Sequence, residues 1–149
     1  MTGTDKNRFL IQLSGSDNTS FGKVDFLDQR EDQKVFSAIW ALESQVNNGG
    51  FAQYFSSWDG ETASFAPTAL RAIGAEACAS LVERALAQVS LQPLATGIDE
   101  REALMNGLSA DARENLDALD SEFFLYPDNL TDLLYDFVLS RPEEFRRFA

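Results

Sequence analysis

Apolar residues recur along most of the chain at the spacing of one helix face. Val35, Phe36, Ile39, Trp40, Leu42 and Val46 share a face and predict a helix over residues 31–46. Asn47-Asn48-Gly49-Gly50 predicts its stop, with two glycines free to take backbone conformations that other residues avoid. Phe51-Ala52-Gln53-Tyr54-Phe55 predicts a short restarted helix, ended by the Trp58-Asp59-Gly60 turn. Phe65, Ala69, Leu70 and Ile73 predict a helix over 62–73, in which Pro67 fits only the first turn or a kink. A further helix over 75–89 carries Leu81, Val82, Ala85, Leu86 and Val89, and residues 90–97, with Pro93, form a connector. Upstream of all these, Phe9, Leu10 and Leu13 predict a short helix, and residues 14–25, rich in Ser, Gly, Asn and Asp, read as an extended loop.

The last third predicts three more helices. One covers 99–107, and a second runs over 109–124 with Ala112, Leu116, Leu119 and Phe123 as its inner stripe. A third starts near Asn129 with Leu130, Leu133, Leu134, Phe137 and Val138, is broken at Arg141-Pro142, and precedes a terminal turn over 143–148. Strand-type alternation over more than a few residues is hard to find. The pattern predicts an all-α fold without significant sheet, a single domain over 1–149 of about six to eight helices.

Composition sharpens this picture. At 149 residues, with 44% apolar residues, twelve Phe and two Trp, the chain can bury a substantial core despite a net charge of −12. Histidine is absent and Cys78 is the only cysteine, so no intrachain disulfide, Cys/His zinc cluster, Ser-His-Asp triad or Cys-His pair can be assembled. Cys78, inside the apolar stretch 74–81, reads as a small buried hydrophobe. No catalytic residues, metal or cofactor are expected, and the chain reads as a non-enzyme. There is no apolar run of signal-peptide or membrane-spanning length, so the cytoplasm is the expected compartment. The negative charge disfavours direct binding to nucleic acid or an anionic membrane. It favours a basic protein partner, or serves solubility alone.

The acids are concentrated. Between Asp99 and Asp136 there are eleven acidic residues and only two arginines, Arg101 and Arg113. At about 100° per residue, Asp111, Glu114 and Glu122 project away from the Leu116 stripe of their helix. Asp132 and Asp136 stand four residues apart, with Asp128 one step earlier. Like charges at that spacing oppose a helix by about 0.2–0.5 kcal/mol per pair, a cost that interleaved lysines would remove. The candidate partner-binding surface therefore comprises Asp99, Glu100, Glu102, Asp111, Glu114, Asp117, Glu122, Asp128, Asp132 and Asp136. The alternative is a solvated face that only keeps the domain soluble.

A second feature is the corner Glu43-Ser44-Gln45-Val46-Asn47-Asn48-Gly49-Gly50-Phe51-Ala52-Gln53. Glu43 falls on the apolar face of its helix, where a carboxylate must find donors or be protonated. The expected donors are the free N–H groups near Gly50 and Phe51, or the amides of Asn47, Asn48 and Gln53. Read structurally, Glu43 ties a sharp helix–helix corner shut. Read functionally, Glu43, Asn48 and Gln53 converge on a polar pocket for a small ligand.

The run Glu43-x-x-Val46-Asn47-Asn48-Gly49-Gly50-Phe51-x-Gln53-Tyr54-Phe55 resembles the hallmark of the DNA-mimic protein family, also catalogued as a domain of unknown function. Ala69-Leu70-x-x-Ile73-Gly74, Leu119-Asp120-x-x-Phe123-Phe124 and a carboxy-terminal helix closed by Phe145 extend the likeness over about residues 30–148. The resemblance implies an all-α bacterial domain whose acidic surface imitates duplex phosphates and occupies the DNA-binding face of a transcription factor. Duplex DNA carries one charge per about 1.7 Å, so the net −9 of residues 99–136 matches only about 15 Å of duplex. Half-sites of a dimeric repressor lie about 34 Å apart, which calls for further acids or a homodimer. Two other functions remain open on the sequence: an immunity- or antitoxin-like inhibitor filling the basic cleft of a nuclease, and a small-ligand domain built on the Glu43, Asn48 and Gln53 corner.

Overall fold

Seven α-helices and three short 3-10 turns form the computed structural model, which describes residues 2–15 and 21–145; no strand occurs among them. The helices are α1 (Gly3–Ser14), α2 (Glu31–Ser56), α3 (Ala66–Ala72), α4 (Glu76–Val89), α5 (Ile98–Asn106), α6 (Ala110–Phe124) and α7 (Leu130–Leu139). The all-α expectation holds.

The long helix α2 is the axis of the domain. Its residues Phe36, Ile39, Leu42, Val46, Phe51, Tyr54 and Phe55 are all buried, because α3, α5 and α6 pack around it. Helix α4 lies against α3 and α6, while α1 pairs with α7. The carboxy-terminal end of the described residues closes an aromatic cluster: Phe145 packs on Phe21 at 5.4 Å and on Phe36 at 5.8 Å, and Trp40 stacks on Phe36.

Three departures from the sequence pattern have local causes. Helix α1 is longer than Phe9, Leu10 and Leu13 imply, because Thr2 and Asp5 form a capping box: the Thr2 hydroxyl accepts the Asp5 N–H at 3.1 Å and the Asp5 carboxylate accepts the Thr2 N–H at 3.3 Å. The helix expected over 62–73 starts only at Ala66, because a 3-10 turn, Trp58–Thr62, occupies the chain before it and Pro67 sits in the first turn. The stretch expected as a loop over 14–25 contains the end of α1 and a 3-10 turn at Phe21–Lys23, while residues 16–20 lie outside the described residues. Of the terminal turn expected over 143–148, residues 142–145 form a turn and the rest lie outside the described residues.

The predicted stop at Asn47–Gly50 becomes a kink. Two helical stretches meet here, as the sequence pattern predicts, one restarting at Phe51 and ending at Ser56 and one ending at Gly49 and Gly50, which both leave helical geometry, Gly50 with φ +82° and ψ −179°. That region of backbone space is essentially restricted to glycine.

Candidate partner-binding face

Helix α6 carries the densest part of the acidic surface. The Ser109 hydroxyl caps it by accepting the Ala112 N–H at 3.0 Å, and Asp111 sits in its first turn, where negative charge complements the helix dipole. Leu116, Leu119 and Phe123 form a buried stripe against α2 and α4. One flank of the helix is tied to α4, through Arg84–Glu122 at 3.1 Å and Asn115–Gln88 at 3.0 Å. The other flank is tied to the kink of α2 through Asp120. Between these flanks Asp111, Glu114 and Asp117 stand exposed, without an ion pair among the described residues.

Helix α5 supplies a second group. Asp99 and Glu100 occupy its first turn, and with Glu102 they are exposed and have no ion pair among the described residues. The arginine between them forms no ion pair with them among the described residues, although Glu102 stands close enough to act on it electrostatically. Arg101 is only 1% exposed, and its guanidinium donates to the carbonyls of Phe55 (2.7 Å), Ser57 and Thr96 (3.3 Å). It thereby satisfies carbonyls at the C-terminal end of α2, which have no partner within the helix. Gly60 is needed beside it, since a Cβ there would run into the guanidinium. Arg113 behaves in the same way, donating to the carbonyls of Met105 (2.7 Å) and Asn106 (3.4 Å) at the end of α5. Both arginines of the acidic segment thus spend their donors on backbone at helix ends.

Helices α5 and α6 flank the kinked end of α2. A shallow cavity of about 350 Å³ lies among them, lined by Gln53 and Ser56 of α2, Glu102 and Asn106 of α5, and Arg113 of α6. The three carboxylates of α5 and the three of α6 therefore belong to neighbouring elements. The acids near α7 are placed differently. Asp128 accepts the Cys78 N–H at 2.8 Å and so caps the start of α4 from a distance. Asp132 bonds to Asn129 and pairs with Lys6 at 3.1 Å, whereas Asp136 is exposed and unpaired among the described residues on a helix packed against α1. Glu122, Asp128 and Asp132 thus hold the fold together, which the sequence pattern does not reveal because their partners are distant in the chain.

At the corner the structure corrects the expected wiring. The N–H of Phe51, the first free donor of the restarted turns, is taken by the Asp120 carboxylate of α6 at 2.8 Å and not by Glu43. Glu43 lies two helical turns before Gly50, about 10 Å along the axis, too far to cap it. A side chain at Gly50 would also collide with Asp120, so Gly50 and Asp120 form one device, glycine supplying the conformation and the carboxylate its anchor. Asp120 enters the sequence analysis only within the Leu119-Asp120-x-x-Phe123-Phe124 run, which does not indicate its partner.

The convergence of Glu43, Asn48 and Gln53 on one pocket does not occur either. Gln53 donates to Gln45 at 2.8 Å, Gln45 donates to Asp59 at 2.8 Å, and Asn47 and Asn48 are exposed. The cavity beside Gln53 contains neither Glu43 nor Asn48. Glu43 instead faces Tyr126, which takes a left-handed conformation (φ +55°) so that its hydroxyl accepts the Thr131 N–H at 2.9 Å. Burial pushes the Glu43 carboxyl up to about 7, opposed by the nearby Tyr126 hydroxyl. Burial and the neighbouring Asp128 push the Cys78 thiol up to about 12, in keeping with an inert core position.

The Glu43 shift has a testable sign. A carboxyl whose pKa rises on folding takes up a proton as the chain folds, so stability is lost as pH climbs from about 4.5 to about 7. Glu43→Gln is expected to match the wild type in urea unfolding below that window and to exceed it above, by on the order of 2–3 kcal/mol. An identical gap at both ends of the window would contradict a buried, proton-binding Glu43.

No curated protein and no solved structure matches the chain. A family model described as DMP19-like protein matches residues 28–141, well over half of the sequence, and on that match the chain belongs to the DMP19-like protein family.

Proposed function

We propose that this protein is a DNA mimic that occupies the basic DNA-binding surface of a transcription factor or nucleoid protein with the carboxylates of α5 and α6. The observation that carries the reading is the lack of ion pairs to six of these acids among the described residues. Asp99, Glu100, Glu102, Asp111, Glu114 and Asp117 are exposed, and the only arginines in their segment are committed to backbone carbonyls. A face required only for solubility gains nothing from excluding cations, whereas a surface that substitutes for phosphates needs its charge unpaired. Membership in the DMP19-like family supports the same reading.

The charge also sets a stoichiometry. Six free carboxylates equal the charge on about 10 Å of duplex, so one copy covers a single recognition element. A dimeric partner with half-sites about 34 Å apart takes two copies. The experiment is affinity capture on the immobilised full chain at low and high salt, followed by challenge with duplex DNA. A basic DNA-binding protein should be retained at low salt, lost at high salt and released by DNA.

A further inference from the structure

Of the two tryptophans, Trp40 stacks inside the aromatic cluster, whereas Trp58 is 77% exposed. An isolated exposed apolar residue needs no explanation, but the backbone presenting Trp58 is held unusually firmly on both sides. On one side the Ser57 N–H bonds the Gln53 carbonyl at 3.0 Å, the Ser57 hydroxyl bonds the Tyr54 carbonyl at 2.9 Å, and the Ser57 carbonyl accepts from buried Arg101. On the other, the Asp59 carboxylate accepts from Gln45 at 2.8 Å and its carbonyl accepts the Thr62 hydroxyl at 2.8 Å, which in turn meets Tyr54 at 2.5 Å. The indole is therefore displayed by a rigid turn at little further entropic cost, the condition under which aromatic residues become binding anchors.

The surroundings of this turn are anionic. Asp59 follows Trp58 directly and Glu61 lies three residues after it in the same turn, and Glu61 and Glu102 of α5 both stand close enough to the Arg101 guanidinium to act on it electrostatically. Arg101 from its buried position and Arg113, which lines the same cavity as Glu102, offset two of these three charges and leave the locality net negative by one. An exposed indole face amid carboxylates selects a cation, and a flat one over a compact one: a guanidinium can lie on the ring while its edge N–H groups reach carboxylate oxygens, whereas an ammonium offers a point charge.

We propose that Trp58 is the anchor of the partner interface and receives an arginine side chain of the basic partner on its indole face, with Asp59, Glu61 and Glu102 supplying the surrounding charge. The proposal rests on the DNA-mimic reading and adds to it a contact that phosphate imitation does not provide, one giving preference for arginine-bearing over merely basic surfaces.

The test titrates the full chain with an oligoarginine and an oligolysine peptide of equal length, read by calorimetry. Three proteins are compared: wild type, Trp58→Ala, and the α6 variant Asp111→Asn/Glu114→Gln/Asp117→Asn. Wild type should prefer oligoarginine, and Trp58→Ala should weaken the oligoarginine complex by about fivefold or more while changing oligolysine binding little. Trp58→Phe should restore part of the preference, and arginine binding should quench Trp58 emission. An undiminished arginine preference in Trp58→Ala overturns the proposal. The α6 variant probes the parent reading separately, since it should weaken both peptides alike. If it weakens neither while Trp58→Ala removes the preference, the α6 face falls and the Trp58 anchor stands.

Discussion

Replacing Asp111, Glu114 and Asp117 together by Asn, Gln and Asn is expected to weaken the captured complex by about ten- to a hundredfold at low salt. It should also flatten the dependence of binding on salt. Among the described residues these three side chains form no tie to another element: the cap of α6 is Ser109, its core contacts are Leu116, Leu119 and Phe123, and its lateral ties are Glu122 and Asp120. Asp111 does complement the helix dipole, by about 0.3–1 kcal/mol, a loss partly offset by relief of repulsion among the three like charges. Folding stability should therefore stay within about 0.5 kcal/mol of wild type or rise slightly as like charges are removed. The matching control neutralises Asp25, Asp28 and Glu31, which are also exposed and without an ion pair among the described residues but lie on other elements. It changes the net charge equally. A control that weakens binding as much as the α6 variant would show that overall charge, and not this face, is recognised.

The largest loss of stability is expected from Arg101→Met. Methionine keeps much of the buried volume but abandons the carbonyls of Phe55, Ser57 and Thr96. The Phe55 carbonyl is left buried and unsatisfied, which costs about 1–3 kcal/mol, while the Ser57 carbonyl keeps the Gly60 N–H and Thr96 is exposed. The expected loss in urea unfolding is therefore about 1–3 kcal/mol, a sizeable part of what a domain of this size possesses. Arg101→Lys should recover only a fraction, because an ammonium on a flexible stem cannot reproduce the planar fork. The damage should be local first. Hydrogen exchange at Gly60 and Ala63, whose N–H groups bond the carbonyls of Ser57 and Gly60 in the 3-10 turn, should accelerate before that of α4. A variant of near wild-type stability would mean that Arg101 is dispensable and that the turn displaying Trp58 is held by other bonds.

Most helices were legible because their inner stripes are periodic and their stops are chemically marked. Pro67, Gly74 and Pro142 punctuate the chain where pattern reasoning places a break, and the Leu116, Leu119 and Phe123 stripe is buried as its spacing predicts. Long-range polar wiring was not legible. Helical phase sets Asp120, four residues after Leu116, nearer the inner stripe than solvent-facing Asp117, but nothing local names its partner, the kink of α2. Asp128, Asp132 and Glu122 likewise look the same in sequence as Asp111 and Glu114, and only the positions of Cys78, Lys6 and Arg84 in space separate structural acids from free ones. Arg101 shows the converse: a basic residue in an acidic run reads as a neutralising charge, yet burial turns it into a clasp between α5 and the end of α2. Glu43 was correctly placed on an apolar face. Its neighbour was missed because Tyr126 reaches it from the loop between α6 and α7.

The central claim is that α5 and α6 stand in for DNA on a partner, and the most direct measurement is competition between the two for the partner captured on this protein. Increasing duplex DNA should displace that partner in proportion to its DNA affinity, with no species containing protein, partner and duplex together at any ratio. A stable ternary complex, or capture that persists unchanged in saturating DNA, would contradict it.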